Sequence, residues 1–200
     1  MPPTPVNIAV EDPLTEYLFA KILGTMPNAY ATRTVYNRGG FGYLKQNINR
    51  FNRAAKFIPF LVGTDLDTYA CPPDLISDWL QEPKHENLLI RVAVREAEAW
   101  VLADKQNFAK FLGIRSALIP DDPESLPDPK RTLVGLARKA RSGYLRDELC
   151  PPEHSTRQVG PNYNPRLGTF VLQQWDPLTA QLHSASLART INRLRSFALL

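Results

Sequence analysis

Three pairs of carboxylates carry the strongest chemical signal in this chain: Glu11 with Asp12, Asp65 with Asp67 in Gly63-Thr64-Asp65-Leu66-Asp67, and Glu96 with Glu98 in Arg95-Glu96-Ala97-Glu98. Each pair follows a hydrophobic run, Val6 to Val10, Phe57 to Val62 and Leu88 to Val94 respectively. Carboxylates that converge repel one another unless a cation neutralises them, and all-oxygen donors suit Mg2+ or Mn2+. A cation held in that way binds phosphate oxygens. Every pair also has a plain structural use. Asp12 before Pro13 is a helix N-cap, and Asp-Leu-Asp serves as a helix-initiating turn. On a regular helix Glu96 and Glu98 diverge by about 200°, so which of them faces a common point stays open. Glu11 alone has no capping role.

For remote acids to meet, the elements must bring them to one edge. The three apolar runs have the composition of buried strands, and Ala31 to Tyr36 has strand composition. Between them lie helical patterns from Pro13 to Leu23, Tyr43 to Ala55, Pro72 to Leu80 and Glu96 to Asp104. Strands alternating with helices predict a doubly wound, mainly parallel α/β sheet flanked by helices, whose site lies at the carboxyl ends of the strands. Beyond Asp104 the pattern is helical, near Asn107 to Leu112, Lys130 to Ala140, Arg166 to Gln173 and Ser186 to Phe197. Loops are expected at Asp121 to Asp128 and Leu149 to Tyr163. Residues 1–104 thus form the α/β core, and 105–200 a mainly helical C-terminal half packed on it as one compact domain.

Val10-Glu11-Asp12-Pro13-Leu14-Thr15-Glu16, Gly63-Thr64-Asp65-Leu66-Asp67 and Arg95-Glu96-Ala97-Glu98-Ala99-Trp100 resemble the acidic motifs of the TOPRIM fold, especially the TOPRIM-like nucleases of the OLD type and related bacterial proteins. The resemblance covers roughly the first half of the chain. It implies that Glu11, Asp65 and Asp67 hold divalent metal, with Glu96 or Glu98 as the further acid of the nuclease branch. It also implies Mg2+- or Mn2+-dependent hydrolysis of phosphodiesters, with Glu11 as ligand or general base, and a nuclease or nuclease subunit of a phage-defence system that works with a separate ATPase. Asp12 departs from the pattern, because many members place glycine there. Lys130, in Asp128-Pro129-Lys130, is the candidate for the basic residue near the scissile phosphate, and its alternative is a surface lysine at a helix start.

Arg38-Gly39-Gly40-Phe41-Gly42-Tyr43-Leu44-Lys45 is a glycine-rich turn that opens a helix. Free amides there can bind phosphate, although the motif matches neither the dinucleotide fingerprint nor the P-loop. With Lys45, Arg50 and Arg53, Gly40 and Gly42 form the candidate contact to a nucleic-acid backbone, which positions without specifying sequence. His85, His154 and His183 have no metal-like spacing, and Trp79, Trp100 and Trp175 sit in core-like patterns.

The 200 residues carry 24 Lys+Arg against 20 Asp+Glu, 44% hydrophobic residues and two cysteines. That excludes a disulfide scaffold and fits a reducing cytoplasm. No apolar run is long enough to suggest a membrane span. Charge is unevenly spread: residues 1–128 hold 13 basic and 16 acidic residues (net −3), and residues 129–200 hold 11 and 4 (net +7). Acid clusters flanked by basic stretches suit a metal site acting on a polyanion, DNA in the first instance. Two other readings remain open. A TOPRIM-like subunit could bind nucleic acid or a partner without catalysis, and an Asp-x-Asp glycosyltransferase would use Asp65 and Asp67 for metal and diphosphate but leave Glu11 unexplained. An Asp-x-Asp phosphatase is set aside, because Tyr69 stands where a hydroxyl residue of the Ser/Thr kind is expected. The sequence does not decide between monomer and oligomer.

Overall fold

A computed structural model describes residues 2–26, 29–37 and 39–198. Arg38 of the glycine-rich stretch lies outside the described residues. The chain divides into two compact units, residues 1–94 with 189–200, and residues 95–188.

The first unit is built on four parallel strands, β1 (Thr4–Val10), β2 (Tyr30–Tyr36), β3 (Phe60–Asp65) and β4 (Leu88–Ala93), in the order β2-β1-β3-β4. Helices α1 (Pro13–Gly24), α2 (Gly40–Ala54) and α3 (Pro72–Trp79) make the crossovers. From β1 the chain steps outward to β2, then returns across β1 to reach β3 and β4. The order therefore reverses between β1 and β3, and a crevice opens outside the carboxyl ends of strands at such a point. Side chains alternate faces along each strand. Ala9, Val62 and Ile90 point to the face covered by α2 and α3, where Leu44, Ile48, Phe51, Leu75 and Trp79 are buried. On the opposite face α1 lies so close that a Cβ on Gly63 would come within 2.6 Å of the Phe19 ring and 2.7 Å of the Thr15 methyl. Only glycine fits there.

Among the boundaries that differ from the sequence reading, two lie in the sheet-bearing unit beside the acidic strand ends. β3 begins at Phe60, not Phe57, because residues after α2 continue its turn: the amides of Phe57 and Ile58 both donate to the Ala54 carbonyl. Phe57 is left 87% exposed, and the strand ends at Asp65, as expected. The helix expected from Tyr43 starts at Gly40, since Gly39 (φ 120°) and Gly40 (φ 71°) make the turn themselves with backbone that side-chain-bearing residues rarely adopt. Phe41 then packs edge-on against Trp79, with ring centroids 4.9 Å apart.

The second unit is helical throughout its described elements: α4 (Ala97–Ala103), α5 (Lys105–Leu112), α6 (Pro129–Ala137), α7 (Gly143–Leu149), α8 (Tyr163–Gln173), α9 (Pro177–Ala180) and the first residues of α10 (Ala185–Ala198). Short 3-10 turns at Ser116–Leu118 and Pro123–Ser125 interrupt the loop between α5 and α6. Trp100, Phe108, Phe170 and Trp175 are buried at its centre. Their polar atoms are satisfied internally: the Trp175 indole N–H donates to the Trp100 carbonyl (3.0 Å), and the Trp100 indole N–H to the Ser186 hydroxyl (2.7 Å). Among the described residues no helix is long and apolar enough to cross a membrane.

Candidate functional site

At the reversal point β1 ends on the fully buried Val10, register partner of Gly63 on β3. The next residue, Glu11, reaches across to the neighbouring strand. Its Oε2 accepts the Thr64 hydroxyl at 2.9 Å and the Asp65 backbone N–H at 3.4 Å. Both donors fall on one oxygen, which fixes the carboxylate. Burial pushes the Glu11 carboxyl above its ordinary value, the Thr64 and Asp65 hydrogen bonds pull it back, and the charges of Asp67 and Asp12 push it up again. Asp12 is the N-cap of α1 as well, its Oδ1 accepting the Thr15 amide at 2.8 Å. Asp65 is 7% exposed, while Asp67 lies on the surface in a left-handed turn (φ 48°), a conformation Asp adopts at low cost. At the neighbouring tip of β2, Asn37 donates to Glu16 of α1 at 2.9 Å and ties that strand end to the helix.

These donors fit a hard divalent cation. Glu11 is a partly desolvated carboxylate facing two more acids, an arrangement that a cation relieves, and the donor set is all oxygen. Among the described residues no three His, Cys, Asp or Glu side chains are already grouped around one point.

The second unit collects Glu96, Glu98 and Lys130. Glu96 is the N-cap residue of α4, and its Oε2 accepts the Lys130 backbone N–H at 2.8 Å in the first turn of α6. Glu98 is fully buried; its Oε1 accepts the Tyr163 hydroxyl at 3.0 Å and lies 3.6 Å from the Lys130 ammonium. The expected divergence of the two glutamates on a regular helix does not hold, because Glu96 is extended (φ −139°, ψ 159°) and stands before the helix. One lysine thus contacts both. Lys130 is at a helix start, as its alternative reading states, and also borders a cleft of about 610 Å3 with Arg131, Arg138, Glu96, Asp128 and Gln158.

No family model, curated protein or solved structure matches this chain.

Of the backbone-contact candidates, Lys45 pairs with Asp78 at 2.7 Å and Arg53 with Glu82 through a fork of bonds as short as 2.6 Å. Both basic groups are held further above their ordinary values by those partners, their hydrogen bonds first. Arg50 bonds Asn47 at 3.5 Å, and Gly40 and Gly42 lie in the first turn of α2. Sequence reasoning missed Thr64 and Tyr163 as partners of the acids. Thr64 stands inside the quoted Gly-Thr-Asp motif, and Tyr163 inside the polar Gly160 to Pro165 loop, so each was in view without a geometry to assign it.

Proposed function

We propose that this chain is a TOPRIM-like, divalent-metal-dependent phosphodiesterase acting on nucleic acid, either as a nuclease or as the nuclease subunit of a bacterial defence system with a separate ATPase. The observation that carries the reading is the Glu11 carboxylate, pinned by Thr64 and the Asp65 amide across adjacent strand tips at the sheet's reversal point and pressed by the charges of Asp67 and Asp12. Bound Mg2+ or Mn2+ would supply Lewis-acid activation of water and neutralise charge developing on the phosphodiester. Glu11, Asp65 and Asp67 would hold it. The Thr64 hydroxyl keeps Glu11 from rotating away, and the raised proton affinity of Glu11 suits a residue that accepts a proton from water when it is not itself a ligand.

The test is calorimetric titration of Mg2+ and Mn2+ into the protein and into its Glu11→Gln and Asp65→Asn variants, beside cleavage of plasmid DNA. Metal binding lost in both variants, with cleavage only in the presence of metal, is the expected result. Binding without cleavage would favour the non-catalytic subunit, and no binding at all would reduce the acids to turn and cap residues.

A further inference from the structure

Most of the ion pairs in this protein match a cation with a nearby acid, as Lys45 with Asp78, Arg53 with Glu82 and Arg166 with Glu148. One group in the first unit does not. Arg91 reaches the Arg189 backbone of α10 (3.4 Å), Arg91 and Arg193 both act on Lys84 through their charge, Arg193 and Arg189 act so on Arg91, and among the described residues no carboxylate pairs with any of the four. Their hydrogen bonds go to neutral carbonyl oxygens. The Lys84 ammonium donates to those of His85 (3.3 Å) and Leu88 (3.2 Å), and the Arg91 guanidinium to those of Ile90 (2.5 Å) and Arg189 (3.4 Å). Arg193 lies over the Phe197 ring, 5.6 Å from its centroid. Burial, then the positive charges of Arg193 and Arg91, lowers the proton affinity of Lys84, and Arg193 and Arg189 act likewise on the partly buried Arg91.

The scaffold that holds them is firm. Arg91 stands on the edge strand β4 as register partner of Gly63, hence on the face that carries α1. Arg189 and Arg193 are one turn apart on α10, whose Ile191 and Leu194 are fully buried. The partly buried Tyr30 of β2 donates its hydroxyl to the Leu194 carbonyl at 2.6 Å, fastening the helix to the sheet. Cations gathered by the fold, with no carboxylate paired to them among the described residues, repel one another, and an anion removes that cost. Three of the four are arginines, whose planar forks match phosphate oxygens in pairs. Their spread over the segment before β4, the strand itself and a helix suits a chain of anions better than a single one.

We propose that Lys84, Arg91, Arg189 and Arg193 form a binding surface for the phosphate backbone of a nucleic acid. The surface goes beyond the phosphodiesterase reading, because binding there needs neither metal nor cleavage. It makes no base contacts and so binds without regard to sequence.

Fluorescence anisotropy with a labelled DNA duplex and a labelled single strand, in EDTA and from about 50 to about 200 mM KCl, tests it. The log–log slope of affinity against salt should flatten by about 0.9 per cation removed on duplex and by about 0.7 on single strand. The Arg189→Ala/Arg193→Ala double variant is therefore expected to lose about two phosphate contacts of slope, while a Lys139→Ala/Arg115→Ala control with the same charge change keeps it. Relief of repulsion predicts a thermal midpoint no lower than that of the parent, measured by circular dichroism, so a weak binder will be a folded one. Arg189→Lys should keep most of the slope. An unchanged slope in the double variant would overturn the proposal, as would absence of binding at low salt. Competition by poly-glutamate as strong as that by the oligonucleotide, and sensitive to the same arginines, would assign the surface to an acidic peptide instead.

Discussion

Glu11 is held in a state that the rest of its surroundings opposes. Its ordinary value is 4.5, and burial with the charges of Asp67 and Asp12 holds the folded protein's carboxyl above it. Between those two values the native state binds more protons than the unfolded chain, so stability falls as pH rises through that window and stays reduced above it. The Glu11→Gln variant lacks the charge. In EDTA at neutral pH it is expected to be more stable than the parent, and its urea-unfolding free energy should decline less as pH rises above 4.5. A variant equally or less stable at neutral pH would mean that the Thr64 and Asp65 hydrogen bonds outweigh desolvation. The same substitution should abolish metal binding, so stability and ligation move in opposite directions, as expected of a residue placed for function rather than for the fold.

At the scale of elements, the packing of α1 on the sheet turns on Gly63. A methyl there would meet Phe19 and Thr15 at 2.6 and 2.7 Å, closer than side chains approach. Gly63→Ala should cost about 1–3 kcal/mol by overpacking, and a second change, Phe19→Leu, should recover part of it in urea melts; an undisturbed midpoint would show that α1 moves away freely. Because Gly63 lies two residues before Asp65, the strain should also disturb the Glu11 site. This helix and three of the parallel strands were legible in the sequence, since buried strands appear as unbroken apolar runs and Asp12-Pro13 marks a helix start, while the largely exposed β2 showed only strand composition. What was not legible has physical reasons. The run Phe57 to Val62 is apolar throughout, and only hydrogen bonds to Ala54 show that its first residues finish a helix. α7 offers one buried residue, Leu149, and hence no apolar period. Glu11, Asp65 and Asp67 could be singled out because they lie at or just beyond strand ends, whereas Arg91 with Arg189 and Arg193 could not, since nothing along the chain links a mid-strand arginine to a helix about a hundred residues later.

For the whole molecule, the division into units is uneven in continuity. The first unit needs two separate stretches, 1–94 and 189–200, but the second is one uninterrupted segment, 95–188. Near its two ends, the Trp100 indole bonds the Ser186 hydroxyl, and Glu124 accepts the Ser186 amide at 2.8 Å, so the segment enters and leaves at one place. It also owns a core, with Leu133, Leu149, Leu167 and Val171 fully buried beside the aromatic residues already named. A segment with its own core and adjoining ends has the anatomy of a unit that folds alone. Cys150, buried at the end of α7, supplies the readout, because it is the sole cysteine of that segment. Burial raises its thiol above the ordinary 9.0, Arg138 opposing and Asp147 reinforcing, so the folded segment keeps it protonated at neutral pH and loses stability only as pH climbs past that value. Expressed by itself, the 95–188 segment is expected to melt cooperatively with a helical spectrum and to react with a thiol reagent only once urea unfolds it. A gradual melt, with Cys150 reactive from the start, would mean that these helices depend on the sheet-bearing unit for their fold.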